Sequence, residues 1–415
     1  MYIYKTLSNG IRVVAEKIDH LRSVSIGVWV GNGSRYETAE ENGISHFIEH
    51  MVFKGSSKRS AEQIAEAIDG VGGQINAFTT REYTCFYTKT LDAHAELAMD
   101  VLSDMIFKPT LGEKDMELEK RVVYEEINMY EDYPEDYVYD LYYRSVWGDT
   151  PMGRTVLGTP ETLGKITPDM MRNYMRTHYT VNNIIISVSG SFEDDFFDTL
   201  EKYFGWYGVK LPKPDMQEAS FNKGIVLKQK DIEQVQLVVG FDSIDIMDES
   251  VYSLLIFNNI FGCGMSSRLF RNIREKEGLV YSVGAGHSAY IGTGSFDISA
   301  GMSPENLERV CELINKEINI IKRDKLTKDE VARSKEMLKG SYMLSYESSD
   351  ARMQGAGRSL LLDKPIYTPE EAIKRIDEVT VDDVANTIDR VMNIETMSVA
   401  VLGPADKSAL SAINL

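Results

Sequence analysis

The predicted secondary-structure elements of the 415-residue chain follow the same order twice, once in each half. Each half begins with β-rich runs, continues with a helix and a pair of strands, and ends with several helices and a last strand. The strand pairs are predicted at 74–80 and 83–91, and again at 278–289 and 293–300. This repetition indicates a duplicated domain. It predicts the α+β class, with two similar α/β-sandwich halves whose antiparallel or mixed sheets are covered by helices on one face.

A polar segment separates the two halves. Residues 208–222 contain Pro212 and Pro214 together with lysines and few strongly apolar side chains, a composition typical of a linker. We therefore predict an N-terminal domain over 1–207 and a homologous C-terminal domain over 223–415.

The charge of the chain limits its partners. There are 64 Asp and Glu against 45 Lys and Arg, so the formal net charge is −19. This balance argues against nucleic acid and against anionic membranes as partners, and it favours neutral or basic ones. The three cysteines are too widely spaced for a disulfide framework or a CxxC metal site, which indicates a reducing compartment. Without a recognisable signal peptide or spanning segment, we expect a cytoplasmic protein.

The pentapeptide His46-Phe47-Ile48-Glu49-His50 carries the chemistry. On an α-helix, residues i and i+4 lie one turn apart on the same face, so the two imidazoles can bind one Zn²⁺. Glu49 is three residues from His46 and reaches the same face, where it could take a proton from a zinc-bound water. The other four histidines are isolated along the chain and form no second cluster.

The surrounding segment 43–55 closely resembles the pitrilysin/insulinase family of inverted-zincin metallopeptidases. The similarity is to the short branch that includes the mitochondrial processing peptidase β subunit and its bacterial relatives, and it extends over nearly the whole chain. It implies a zinc metalloendopeptidase that hydrolyses peptides, with the catalytic centre in the N-terminal domain. It also implies a clam-like chamber and a homodimer, because family members of this length generally enclose the substrate with four such domains.

The resemblance also implies the third metal ligand. A catalytic zinc has three protein ligands and an open position, and the family supplies a Glu from a segment of the type Val-hydrophobic-x-x-Glu. Here that segment is 122–126, which implies Glu126 as the ligand. Glu125 is the alternative, since neighbours on a helix point about 100° apart and only one of them can face the metal. Glu119 lies two turns before Glu126 and matches a second family acid, a candidate to orient a ligand or the water.

Two further stretches resemble substrate-binding parts of the family. Residues 72–82 resemble the active-site edge strand, which implies that Asn76, Ala77 and Phe78 pair with an extended peptide. In the second half, the family's Arg/Tyr signature matches Arg274 and Tyr281. The guanidinium and the phenol are hydrogen-bond donors that could hold the substrate carbonyl and the developing oxyanion.

Two acidic residues suggest a substrate preference. Asp136 and Asp140 lie four residues apart on a predicted helix and therefore share a face. They match positions where the mitochondrial processing peptidase β subunit carries acids that bind a basic residue near the cleavage site. We hypothesise a preference for basic, extended or presequence-like peptides. The alternative interpretation is a solvated acidic face.

The second half lacks a His-x-x-Glu-His motif. When Phe53 is aligned with Phe261, His46, Glu49 and His50 align with Leu254, Phe257 and Asn258. These three residues cannot form a second zinc site. We therefore predict one zinc per chain.

A function of a different class is a non-catalytic scaffold or partner subunit, like the family's inactive partners and the core proteins of respiratory complexes. Those lack an intact zinc motif or an intact Arg/Tyr pair, and this chain carries both. A heteromer, in which a second chain supplies half of the chamber, is the remaining possibility.

Overall fold

A computed structural model describes residues 2–406 of the chain. The strands are β1 Tyr2–Thr6, β2 Arg12–Lys17, β3 Ser23–Val30, β4 Gln74–Thr79, β5 Thr84–Leu91, β6 Ile184–Gly190, β7 Ile225–Lys228, β8 Val235–Asp242, β9 Val280–Tyr290, β10 Thr293–Met302 and β11 Ser398–Leu402. The helices are α1 Ile44–Val52, α2 Ala61–Asp69, α3 Ala95–Phe107, α4 Glu113–Asp132, α5 Pro134–Trp147, α6 Pro160–Lys165, α7 Pro168–His178, α8 Phe196–Phe204, α9 Val251–Phe261, α10 Leu307–Asp324, α11 Lys328–Ser345, α12 Ser349–Leu361, α13 Pro369–Glu378 and α14 Val381–Val391. None of the helices in this range has the length and apolarity that a bilayer span requires.

The two sheets share one topology. The first has the order β1-β2-β6-β3-β5-β4 and the second has the order β7-β11-β8-β10-β9. Without β1, the two orders correspond strand for strand, and each sheet has its parallel pair in the same place, β2 with β6 and β7 with β11. The mixed sheets with covering helices confirm the predicted α+β fold.

Packing divides the described residues into two compact units that exchange segments. The first comprises residues 2–127, 155–217 and 344–368, and the second comprises 128–154, 218–343 and 369–406. Helix α5 of the first half thus belongs to the second unit, and α12 of the second half belongs to the first. The predicted domains 1–207 and 223–415 divide the chain by sequence order, which this packing does not test. Residues 407–415 of the second domain lie outside the described residues.

The exchanged helices cover sheet faces that the sequence prediction left open. Along β3, Val24, Ile26 and Val28 point into the main core of the first unit, and Trp29 packs against Met353 of α12. At Gly27 an added Cβ would lie 2.4 Å from the Met353 sulfur, so glycine leaves room for the close approach of α12. In the second unit, Tyr142 of α5 packs on the second sheet. The expectation of one covered face was therefore wrong, because the second cover comes from the other half of the chain.

Candidate metal centre

Helix α1 has one apolar face and one polar face. Ile44, Phe47, Ile48 and Met51 recur at helical spacing and are fully buried in the core of the first unit. That periodicity turns the residues of the His-x-x-Glu-His motif to the opposite side. The helix therefore presents His46, Glu49 and His50 together because its other face is anchored in the core.

The N-terminus of α1 is fixed by a buried carboxylate. Glu37 accepts hydrogen bonds from the backbone N–H groups of Gly43 and Ser45, both at 2.8 Å. Gly43 has a φ of 94° and an added Cβ would lie 2.7 Å from the carbonyl oxygen of Leu157, so this position requires glycine. Burial raises the pKa of Glu37 to about 7, although the hydrogen bonds that it accepts oppose the shift.

Helix α4 supplies the third candidate metal ligand. Glu126 Oε1 lies 3.6 Å from His46 Nε2, and Glu126 Oε2 lies 3.5 Å from His50 Nε2. Ligand atoms of these three residues all lie within 4.8 Å of one another, and within residues 2–406 they form the single group of three or more His, Cys, Asp or Glu side chains placed to hold a metal. Glu125, the alternative ligand, is exposed on the same helix.

The donor set fits zinc. Two imidazole nitrogens and one carboxylate oxygen form the His₂Glu set of catalytic zinc sites. The separations of 3.5 and 3.6 Å exceed ordinary hydrogen-bond lengths, as expected for atoms that share an ion rather than a proton. His46 is only 7% exposed, and its pKa is lowered to about 4 by burial and by the neighbouring His50, so this imidazole is neutral and can act as a ligand.

Glu119 orients His50. Its Oε1 lies 2.9 Å from His50 Nδ1, so the ring donates from Nδ1 and directs Nε2 towards Glu126. Burial lowers the pKa of His50, but the carboxylates of Glu119 and Glu126 outweigh it and raise the value to about 9. Burial by itself would raise the pKa of Glu119, yet the hydrogen bonds from His50 and Lys54 hold this pKa below its usual value. For Glu126, the neighbouring imidazole of His50 is the main reason why the pKa is lowered.

Glu49 lies beside the three ligands and is held by Thr79. The Thr79 hydroxyl donates a hydrogen bond of 2.5 Å to Glu49 Oε2. Burial raises the pKa of Glu49, and the hydrogen bond from Thr79 opposes that shift. Thr79 is the last residue of β4, so this hydrogen bond connects the Glu49 carboxylate, which is not a ligand, to this strand.

The three residues expected to pair with substrate lie on β4, at the edge of the first sheet. Asn76 is exposed, and its side-chain oxygen accepts a hydrogen bond of 2.8 Å from the N–H of Ala77. Phe78 packs against the rings of Trp29 and Tyr83. In the described residues β4 pairs with β5 alone, which leaves one edge of its backbone open to pairing.

Arg274 and Tyr281 lie next to each other in the second unit. The guanidinium carbon of Arg274, in a short π-helical segment, is 5.6 Å from the centre of the Tyr281 ring. It is also 4.7 Å from the centre of the Phe270 ring. Tyr281 is 71% exposed near the start of β9. The two side chains are therefore neighbours, and their role in binding substrate stays a prediction.

Asp136 and Asp140 lie on α5, in the second unit. Asp136 is exposed and Asp140 is half-buried, and their spacing of four residues puts them on the same helix face. Val138 and Tyr142 of the same helix are buried against the sheet. The role assigned to the two aspartates stays a hypothesis.

Residues 254, 257 and 258, which the alignment set opposite the motif, lie on α9. This helix precedes β9 and β10 as α1 precedes β4 and β5. Leu254 and Phe257 are fully buried in the core of the second unit. The face that presents the motif on α1 therefore has an apolar counterpart on α9.

Sequence reasoning missed three residues around this centre: Glu37, Lys54 and Thr79. Lys54 follows His50 by four residues, so helical spacing could have placed it near the same partner. Thr79 directly follows the predicted pairing residues on β4. Glu37 precedes the motif by nine residues, and no local pattern indicates its contact with the start of α1.

Comparisons with known proteins agree with these features. Residues 12–160 match the family model described as Insulinase (Peptidase family M16), and residues 165–338 match the model described as Peptidase M16 inactive domain. The uncharacterized zinc protease YmxG of Bacillus subtilis (strain 168) is 43% identical over 96% of this chain and 98% of the relative. An uncharacterized zinc protease of Rickettsia felis is 34% identical over 96% of this chain and 97% of its own length.

Solved structures show the same fold at lower identity. A protease from Helicobacter pylori has a TM-score of 0.90 at 20% identity, with 97% of this chain and 99% of that chain covered. A chain of complex III2 from Candida albicans, in the structure with Inz-5 bound, has a TM-score of 0.85 at 20% identity and covers 99% of both chains. At this identity the likeness concerns the fold alone.

Proposed function

Because the chain belongs to the insulinase family, peptidase family M16, we propose that it is a zinc metalloendopeptidase whose centre is His46, His50 and Glu126. One observation carries the proposal: the Nε2 atoms of His46 and His50 converge with the carboxylate of Glu126. Next to them lies a second carboxylate, that of Glu49, which is not one of the three ligands. This is the arrangement that metal-assisted hydrolysis requires.

The proposed chemistry divides between the ion and the chain. A bound Zn²⁺ would supply Lewis acidity, which favours deprotonation of water near neutral pH and polarises a peptide carbonyl. Glu49 would accept the proton of the attacking water at a carboxylate oxygen as the C–O bond forms. It would then donate that proton to the amine nitrogen as the C–N bond breaks. Thr79 would keep the Glu49 carboxylate in one orientation during both transfers.

We propose that the substrate is an extended peptide bound along β4. Backbone pairing at the open edge of β4 gives affinity that does not depend on side chains. It also brings the peptide close to Thr79, the last residue of β4. Asn76, Ala77 and Phe78 would form this pairing surface. Arg274 and Tyr281 would bind the substrate carbonyl and the developing oxyanion.

The preference for basic peptides also belongs to the proposal. The net charge of −19 attracts cationic partners over a distance, and the exposed Asp136 and its neighbour Asp140 offer local partners for an Arg or Lys side chain.

We further propose a homodimer in the cytoplasm with one zinc per chain, without nucleic-acid or membrane partners.

A non-catalytic partner subunit is the second candidate function. A chain of complex III2 from Candida albicans shares the fold, and a fold by itself does not determine function. The complete donor set and Glu49 favour the enzyme.

Removal and return of the metal test the proposal. Protein treated with a chelator and desalted should lose cleavage of a mixed peptide library, and one equivalent of Zn²⁺ should restore it. Full activity of protein that contains no zinc would contradict the metal centre. A zinc-loaded protein that cleaves no peptide in the library would favour the partner subunit.

A further inference from the structure

Lys54 contacts the metal centre from just beyond the end of α1. It follows His50 by four residues, and both side chains contact the carboxylate of Glu119. Lys54 Nζ lies 2.6 Å from Oε2, and His50 Nδ1 lies 2.9 Å from Oε1. Each oxygen of Glu119 therefore has its own donor, and both donors come from the same stretch of chain.

This contact is mostly shielded from solvent. The side chain of Glu119 is 7% exposed and that of Lys54 is 34% exposed. A buried carboxylate that loses one partner is left with uncompensated charge, which is far more costly than the loss of an exposed ion pair. The Lys54 ammonium therefore holds one oxygen of the Glu119 carboxylate while the other oxygen contacts His50.

The charges around the centre give Lys54 a second role. Glu49, Glu119 and Glu126 can together carry three negative charges around the two histidines. A divalent ion with neutral imidazoles leaves one negative charge uncompensated. Lys54 supplies one positive charge in direct contact with this group.

We propose that Lys54 is a positioning residue of the metal centre, which acts on His50 through Glu119. It holds Oε2 of the Glu119 carboxylate, so that Oε1 faces His50 Nδ1 and the His50 ring directs Nε2 to the ion. This inference rests on the zinc site of the proposed function. It assigns a role to a lysine that contacts neither substrate nor metal.

The test measures zinc affinity by competition with a chromophoric chelator in Lys54→Met and Lys54→Arg. Partners of a metal-ligating His typically contribute 10–100-fold to metal affinity, so Lys54→Met should bind zinc at least about tenfold more weakly. Lys54→Arg keeps the charge and should stay within about threefold of the wild type. Lys58→Met is the matched control, because Lys58 pairs with Asp100 instead, and it should bind zinc like the wild type.

A double-mutant cycle separates positioning from general damage to the fold. If Lys54 acts through Glu119, Lys54→Met should change zinc affinity little in a Glu119→Gln background. Thermal unfolding of the metal-free variants checks the fold, and Lys54→Gln replaces Lys54→Met if the latter does not fold. Wild-type affinity in the folded neutral variant, or an undiminished effect in the Glu119→Gln background, would overturn the inference. Absence of zinc binding by the wild-type protein would instead refute the proposed function.

Discussion

Thr79, the last residue of strand β4, donates a hydrogen bond of 2.5 Å to Glu49 on helix α1. The hydrogen bond joins the sheet edge proposed to bind the peptide to the carboxylate proposed to carry the proton. Thr79 Oγ1 also lies 3.3 Å from the hydroxyl of Thr84, which donates to the carbonyl of Asn32. A short chain of polar contacts therefore anchors Glu49 to the first sheet.

Replacement of Thr79 by Val should slow catalysis without removing the metal. Hydrogen bonds to charged groups contribute about 1.5–3 kcal/mol, so kcat/KM should fall at least roughly tenfold. Zinc content should stay at the wild-type level, because Thr79 contacts none of the three ligands. Thr79→Ser retains the hydroxyl and should retain most of the activity. Steady-state kinetics on a fluorogenic peptide measure the effect, and an unchanged kcat/KM in Thr79→Val would show that the hydrogen bond does not serve catalysis.

Glu126 and Glu125 form a matched pair for the third ligand. Glu126 faces both histidines, whereas Glu125 is exposed one position earlier on α4. Glu126→Gln should lose most of the bound zinc, because a neutral amide is a poor ligand, and Glu125→Gln should keep it. The zinc-to-protein ratio after dialysis decides between them. Retention of zinc by Glu126→Gln with loss in Glu125→Gln would exchange the two assignments.

Glu37 should make stability depend on pH. Its pKa in the folded protein is raised from 4.5 to about 7, so its contribution to stability is fully present below about pH 4.5 and is lost as the pH rises through 7. The free energy of unfolding of the wild type, relative to that of Glu37→Gln, should therefore decrease between pH 4.5 and 7 and stay level above 7. Urea unfolding across this range measures the difference. A difference that increases with pH would mean that the Glu37 carboxylate favours its charged form.

The two aspartates of α5 should matter for basic substrates alone. Replacement of Asp136 and Asp140 by Asn removes two negative charges from one helix face, and kcat/KM should fall for Arg-containing peptides more than for neutral ones. The exposed neighbour Glu135 serves as the control, because Glu135→Gln removes a charge from another face of the same helix. Paired peptides that differ by one Arg provide the measurement. Equal losses on both peptides would assign the aspartates to a solvated surface.

Local sequence patterns predicted the parts of this protein that depend on neighbours along the chain. The spacing of His46, Glu49 and His50 places them on one face of a helix because helix geometry is fixed, and the segment is the α-helix α1 in the structure. The repeated order of elements predicted two related sheets, and the strand orders correspond. The strand pair that contains β4 was predicted from alternation and turn signals alone.

Contacts between distant segments could not be predicted in this way. The exchange of α5 and α12 between the packing units depends on which sheet face each helix covers, a property that no local periodicity encodes. The contacts of Lys54 with Glu119 and of Thr79 with Glu49 join residues that are 65 and 30 positions apart. The choice of Glu126 over Glu125 depends on the rotation of α4 relative to α1, which the packing determines.

The most direct test of the central claim is the peptide cleavage rate of Glu49→Gln beside the wild type, with zinc measured in the same samples. The amide keeps the size of the side chain but cannot accept the proton of water. We predict that the variant retains one zinc per chain and cleaves a peptide library about 10²–10⁴-fold more slowly. Cleavage by zinc-loaded Glu49→Gln at the wild-type rate would contradict the assignment of Glu49 and the mechanism built on it.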